Sequence, residues 1–400
     1  MTQVPGTDLA SLRALREDLH HHPELGLHLP RTQRAVLDAL DGLGLEITLG
    51  RSLSSVVAVV RGAAPGARSG PVVLLRGDMD ALPVTEATTV GPRSEVDGVM
   101  HACGHDLHVA GLVGAARHLA ARRAELAGDV VLMFQPGEEG PGGAEPMLAE
   151  GLLDAAGRRV DAAYAAHVYS ADHAFGVCFG RPGTQMAASD EVRITVRGRG
   201  GHGSAPHRTL DPVPVACEIV LALQTMVTRR FSIWEPVVVT VGRIAGGTKD
   251  NIIADEAILE ATVRTFSGAT RELARELIGQ VAGGVAQAHG LTVGIHWVEG
   301  YPATVNDPAE FGFARGVVED LFGQQRFAEM PEPEAGAEDF SFVLEQVPGA
   351  YLNVSACAHP RVEDAEDNHS PRATFDDAVL PDLALLLAEL AIRRCALGFG

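Results

Sequence analysis

Three stretches of the chain are apolar without interruption and then break into cation-binding residues. "PVVLLRGDMDALP" carries the run Val72 to Leu75 and breaks into aspartates. "DVVLMFQPGEEG" is apolar from Val130 to Phe134 and breaks into glutamates. "VDAAYAAHVYS" ends at His167. A short unbroken apolar run is the pattern of a strand buried on both faces. Around these runs the pattern turns helical. "DLASLRALREDLHHHPELG" predicts a helix closed by Pro23 and Gly26, "RTQRAVLDALDGLGL" a second, and "DLHVAGLVGAARHLAARRAELAG" a long third. Buried strands alternating with helices predict an α/β fold, a mostly parallel sheet flanked by helices. Ligands of such sheets sit beyond the carboxyl ends of the strands. Asp78, Asp80, Glu138, Glu139 and His167 are therefore expected to converge, and the Cys103–His105 loop, just ahead of its helix, is placed to join them.

The texture changes near residue 187. "EVRITVRG" alternates apolar with polar, so this strand has one wet face. A helix ("DPVPVACEIVLALQTMV"), two strands ("EPVVVTVGRI", "EAILEATVRTF"), a helix ("ATRELARELIGQVAGGVAQAHG") and a strand ("LTVGIHWVE") follow. The order β-α-β-β-α-β is ferredoxin-like. We read residues 1–186 as the first part of a catalytic domain, 187–300 as an inserted α+β domain and 301–400 as the second catalytic part. After residue 300, "GAEDFSFVLEQVPG" reads as a helix, "YLNVSA" as a buried strand, and "HSPRATFDDAVL" as the opening of a C-terminal helix.

Four hundred residues are long for one domain and comfortable for two. A net charge of −20 argues against a nucleic-acid partner and against anionic membranes, both of which need a basic surface. No run is long and apolar enough to span a bilayer. The five cysteines are odd in number and widely spaced, which predicts reduced thiols and a cytoplasmic protein. The N-terminus has no basic region followed by an apolar core, so no secretory signal is expected.

"MHACGHDLH" sets three histidines, a cysteine and an aspartate within nine positions. Cys103 and His105 read as metal ligands, as a nucleophilic thiol with its base, or as a packed loop. Cys103, His105, Glu139, His167 and His369 together offer one sulfur, three imidazoles and a carboxylate. Such donors suit zinc, manganese or cobalt. Five are more than one tetrahedral ion uses, and they suit two neighbouring cations. Glu138 and Glu139 read either as a solvated acidic turn or as a division of labour. In an extended loop they would point apart, one to metal and one to substrate as a proton carrier. Asp80 is either another turn residue or the partner that orients a ligating imidazole. His20, His21 and His22 are discounted as a site, because consecutive helical residues diverge around the axis. "GRGGHGSAPH" either is a flexible loop or delivers His202 onto a substrate.

Taken together and in order, "LHHHPELG", "RGDMDALP", "MHACGHDLHVA", "FQPGEEGPGGA", "AHV", "GRGGHGSAPH", "DNIIADEAILEATVRTF", "GAEDFSF" and "HSPRATFD" resemble the M20 metallopeptidases. Within that family they look like the amidohydrolase branch of hippurate, N-acyl-amino-acid and auxin-conjugate hydrolases. The resemblance implies a two-metal site held by Cys103, His105, Glu139, His167 and His369, loaded with zinc, manganese, cobalt or nickel. It implies Glu138 as general base and Asp80 as support for a metal ligand. The wider family's histidine two positions before that aspartate is replaced here by Asp78. It implies a lid in which His202 stabilises the oxyanion and Asn251 and Arg264 contact the substrate, with homodimers formed through that lid. The implied reaction is hydrolysis of an N-acyl amino acid. The alternatives are a dipeptidase or carboxypeptidase of the same family, a thiol enzyme using Cys103, and a non-catalytic metal-binding relative.

Overall fold

The computed structural model describes residues 8–398. The chain divides into two compact units. One comprises Met1–Gly183, Val305–Pro331 and Phe342–Gly400; the other comprises Thr184–Thr304 and Glu332–Ser341.

The first unit is built on an eight-stranded sheet. Its order is Glu46–Leu49, Val56–Val60, Asp129–Gln135, Val72–Asp78, Ala162–Tyr169, Gly349–Ser355, Cys178–Gly180 and Phe327–Glu329. The four central strands run parallel. The three apolar runs of the sequence are three of these four. Their positions are buried throughout, apart from the last residue of Ala162–Tyr169, as two-faced burial requires. Asp78 pairs with Gln135, so the two acidic loops leave the sheet side by side. On the other side the last pair joins Arg76 to Ala165, and His167 follows two residues later. Register alone therefore brings the three cation-binding strand ends to one edge.

The sequence pattern passed over Glu46–Leu49 and Val56–Val60, which add antiparallel to the sheet. It also over-read "GAEDFSFVLEQVPG": only Ser341–Leu344 is helical, and Glu332–Ser341 belongs to the other unit. The apolar spacing Phe340, Val343, Leu344 and Val347 is helical in period, yet only one turn forms before Pro348, whose ring disfavours helix in the residue ahead of it.

The helix His105–Ala121 crosses the sheet almost wholly buried and packs along Leu380–Leu397. The close approach depends on a missing side chain. A Cβ at Gly114 would lie 2.6 Å from that of Ala384. Glu389, midway along Leu380–Leu397, ties that helix to the C-terminal end of His105–Ala121. Its carboxylate lies 3.9 Å from His118 Nε2 and accepts from Arg393 Nε at 2.9 Å and Arg122 Nη1 at 2.5 Å. These partners, His118 foremost, hold its pKa at about 2 against an ordinary 4.5. A folded-state pKa below the unfolded one stabilises at neutral pH, and the gain is lost as pH falls from about 4.5 to about 2. Glu389→Gln is expected to lower Tm at pH 7, with the gap to wild type narrowing towards pH 3. A gap independent of pH in thermal melts would refute the ion-pair role.

The second unit holds a four-stranded antiparallel sheet in the order Val237–Gly246, Glu256–Thr265, Ala188–Arg197, Thr292–Val298. Counting its strands along the chain gives 2-3-1-4, the ferredoxin-like order. Val192, Ile194 and Val196 pack inward with Ala257, Leu259, Ala261 and Val263 against the helices Pro212–Arg230 and Gly268–Ala288. The alternation in the sequence is this single buried face.

Candidate metal centre

Each donor reaches the sheet edge by a separate device. Gly104 sits between Cys103 and His105 with φ +78°, and a Cβ there would lie 2.4 Å from Val168 Cγ2. Only glycine meets both demands. It turns the chain so that Cys103 ends the loop while His105 opens the helix. Glu138 and Glu139 are placed by Asp80, whose two oxygens accept their consecutive backbone N–H groups at 2.9 and 3.0 Å. This pinning bends the loop. The two glutamates do not diverge as an extended loop would make them; each brings a carboxylate oxygen into one group with His105, all within 4.8 Å.

His369 adopts φ +72°, a left-handed conformation uncommon for a residue with a side chain. Strain of this kind, about 1–2 kcal/mol, persists where the surroundings over-determine it. Here the His369 N–H donates to Ala102 O at 2.9 Å. The preceding Asn368 donates to Val168 O at 3.0 Å and accepts from the Ser170 N–H at 2.9 Å. Asn368 was not legible in the sequence, since nothing marks an asparagine as a loop clamp before its partners are known.

The donors converge. Cys103 Sγ lies 3.4 Å from His167 Nε2 and 3.3 Å from His369 Nε2. His369 Nε2 lies 3.3 Å from Glu139 Oε1, and His105 Nε2 lies 3.7 Å from the same oxygen. Cys103 with His105 and His167, and Cys103 with Glu139 and His369, form two overlapping groups able to hold a cation. Both ring nitrogens of His105, His167 Nδ1 and Glu139 Oε1 are buried without a hydrogen-bond partner. A buried polar atom left so costs about 1–3 kcal/mol, and cations answer that deficit. The electrostatics agree. The Cys103 sulfur and the Glu139 carboxylate push the His369 pKa up to about 10, a field that attracts positive charge. Burial, then the neighbouring His108, keeps His167 far below its ordinary range and so neutral, the form that binds metal. The residues present fit divalent cations.

His20, His21 and His22 serve three different partners. His20 Nδ1 is 2.7 Å from Asp106 Oδ2, His21 Nδ1 is 2.7 Å from Arg93 O, and His22 Nδ1 is 3.0 Å from Asp18 O.

His202, Asn251 and Arg264 lie in the second unit. His202 is exposed in a two-residue strand paired with Ile252–Ile253. Its Nδ1 accepts the Ser204 N–H at 3.1 Å, which leaves Nε2 as the protonated nitrogen of the neutral ring. Asn251 is exposed beside it, its carbonyl accepting from the Gly203 N–H at 2.8 Å. Arg264 is half-buried on the Glu256–Thr265 strand and donates to Thr262 Oγ1 at 2.7 Å.

Residues 74–393 match the model of Peptidase family M20/M25/M40. The chain belongs to this family. With a dinuclear metal-binding neighbour and amidohydrolases among its relatives, the chain is a metal-dependent amidohydrolase. It is 37% identical over 389 residues to thermostable carboxypeptidase 1 of Saccharolobus solfataricus, covering 95% of this chain and 94% of that one. It is 34% identical over 391 residues to the hippurate hydrolase of Campylobacter jejuni, covering 95% of each. A solved Bacillus subtilis structure, a dinuclear metal-binding peptidase of family M20, superposes with a TM-score of 0.83 at 32% identity, covering 97% of this chain and 98% of that one. Among the described residues no helix is long and apolar enough to cross a membrane.

Proposed function

We propose that the protein hydrolyses the amide bond of N-acyl-L-amino acids, giving a carboxylic acid and a free amino acid. Cys103, His105, Glu139, His167 and His369 hold two divalent cations, and Glu138 is the general base. The observation that carries this reading is the loop pinned by Asp80, which sets Glu138 into the donor cluster instead of leaving it in solvent. The similarity to a hippurate hydrolase supports the substrate class.

The cations, zinc, manganese, cobalt or nickel, supply Lewis acidity to the scissile carbonyl and to water. Glu138 takes the proton released as water attacks and delivers it to the departing amine nitrogen. Asp80 keeps that carboxylate in place through the two backbone amides it accepts from. His202 donates from Nε2 to the developing oxyanion. Asn251 contacts the substrate, and Arg264 grips its free carboxylate in a bidentate pair. The odd number and wide spacing of its five cysteines fit a reducing, cytoplasmic setting.

Arg264→Ala is expected to raise KM at least about tenfold for an N-acyl amino acid. The same change should leave the corresponding N-acyl amino-acid amide nearly unaffected. Equal effects on both compounds would remove Arg264 from carboxylate recognition. The carboxypeptidase relative favours a second reading, a dipeptidase or carboxypeptidase. Comparing kcat/KM for N-acetyl, N-benzoyl and longer N-acyl amino acids with that for dipeptides decides between them. The proposal requires the acyl compounds to win, and dominance of dipeptides would overturn it.

The second unit's sheet ends in open strands, Val237–Gly246 on one side and Thr292–Val298 on the other. Such edges pair readily with a second copy, and we assign the protein a homodimer in which His202 acts in the neighbouring subunit's site. Mixing Glu138→Gln protein with His202→Ala protein should restore activity once subunits exchange. Exchange without recovery would reject action in trans, and a monomeric mass in solution would reject the dimer.

A further inference from the structure

His108 is the third histidine of "MHACGHDLH" and is neither a proposed ligand nor a catalytic residue. It lies three residues after His105 on the same helix, 2% exposed. Its Nε2 accepts the Val168 N–H at 2.8 Å, so the proton of the neutral ring is on Nδ1. That nitrogen lies 2.5 Å from Asp78 Oδ1. Asp78 Oδ2 is 2.6 Å from Arg76 Nη1, and Arg76 Nε donates to Gln135 Oε1 at 3.0 Å. Arg76 and Asp78 are 2% and 0% exposed. The His108 ring stacks on His105, centroids 5.3 Å apart, and meets His167 edge-on at 4.6 Å. Asp78 Oδ2 also faces His105 Nε2 at 3.5 Å.

We infer that Arg76, Asp78 and His108 are positioning residues: a buried strut, itself free of metal, that sets where His105 and His167 present their ring nitrogens. The strut joins three backbones: the Val72–Asp78 strand, the first turn of the His105–Ala121 helix, and Ala162–Tyr169 at the amide next to His167. Those elements carry two of the proposed ligands and the loop start of Asp80. Asp78, His105 and His108 also form a group close enough to hold a cation. That occupant is excluded on two counts. Both nitrogens of His108 are committed, and a cation there would sit against the Arg76 guanidinium. The strut also accounts for the aspartate at position 78. Its charge is held by an arginine and a histidine and is not spent on metal.

The inference rests on the ligand set proposed above, and one experiment separates the two. Metal-free full-length protein is titrated with cobalt(II) for wild type, His108→Ala, His108→Gln and Asp78→Asn. The readings are ions bound per chain, Kd by chelator competition, the visible cobalt spectrum, and kcat and KM. Wild type should bind two ions. His108→Ala should still bind two at saturation, with affinity for at least one lowered about 10- to 100-fold. Its cobalt spectrum should change, and kcat should fall while KM moves less than about threefold. His108→Gln, whose amide has both an acceptor and a donor, should recover part of the affinity. Asp78→Asn keeps the volume but loses the charge and turns one acceptor oxygen into an N–H donor facing Arg76 or His108, so it breaks the strut and carries the same readings if His108→Ala does not fold. Loss of one ion at saturation in either variant would make the residue a ligand and overturn the strut. Unchanged affinity and spectrum with only a lower Tm would reduce it to packing and overturn it too. Fewer than two ions in wild type would instead sink the ligand set itself.

Discussion

Glu138→Gln is expected to lower kcat by about 10²- to 10⁴-fold while both cations stay bound. Glutamine keeps the volume and the backbone N–H that Asp80 accepts, so the loop keeps its course. What is lost is a group able to take a proton at neutral pH. Glu138 lies close to Glu139 and His105 but outside the two overlapping groups built on Cys103. Metal analysis should therefore show little change. Turnover within about tenfold of wild type would be too small a loss for a general base and would end that assignment. A parallel loss of metal would move Glu138 into the ligand set.

Cys103→Ser is expected to strip one or both cations during dialysis without unfolding the protein. Cys103 Sγ is the atom shared by the two donor groups, within 3.4 Å of His167 Nε2 and 3.3 Å of His369 Nε2. A coordinated thiol is deprotonated outright, whereas a serine hydroxyl remains a poor ligand at neutral pH. Serine fills the same small space, and the neighbouring turn is set by Gly104, so the fold has no reason to fail. Far-UV circular dichroism should match wild type while metal content per chain falls. Full occupancy after dialysis would return Cys103 to a packing role.

The sequence disclosed what periodicity and strand ends can disclose. Val72–Leu75 and Val130–Phe134 read as buried strands because nothing polar interrupts them, and their acids come together because the two strands are parallel neighbours in register. Val192, Ile194 and Val196 disclosed a one-sided sheet by alternation. Val56–Val60 is apolar and buried at all five positions, but a run this short fits a strand or a segment of buried helix equally well, and no cation-binding group stands at its end. Partnerships were the least legible part. Arg76 lies at the end of an apolar run and shows no sign in sequence that it is buried beside Asp78. His108 stands three after His105, a spacing that puts both on one helical face, and this was the available clue. Its commitment to the Val168 amide depends on a contact 60 residues distant. The bending of Glu138 and Glu139 onto one side depends on Asp80, 58 residues earlier.

The central claim is that cations bound by this cluster cleave acyl amides of amino acids. Its most direct test is the release of free amino acid from N-acetyl and N-benzoyl amino acids by chelator-stripped protein, before and after adding back zinc, manganese, cobalt or nickel singly. Stripped protein is expected to release none, and release should return with at least one of these ions, reaching its plateau at two per chain. Undiminished turnover by the stripped protein would contradict that claim and leave Cys103 as a nucleophile, while no turnover with any of the four ions would contradict the hydrolytic reading altogether.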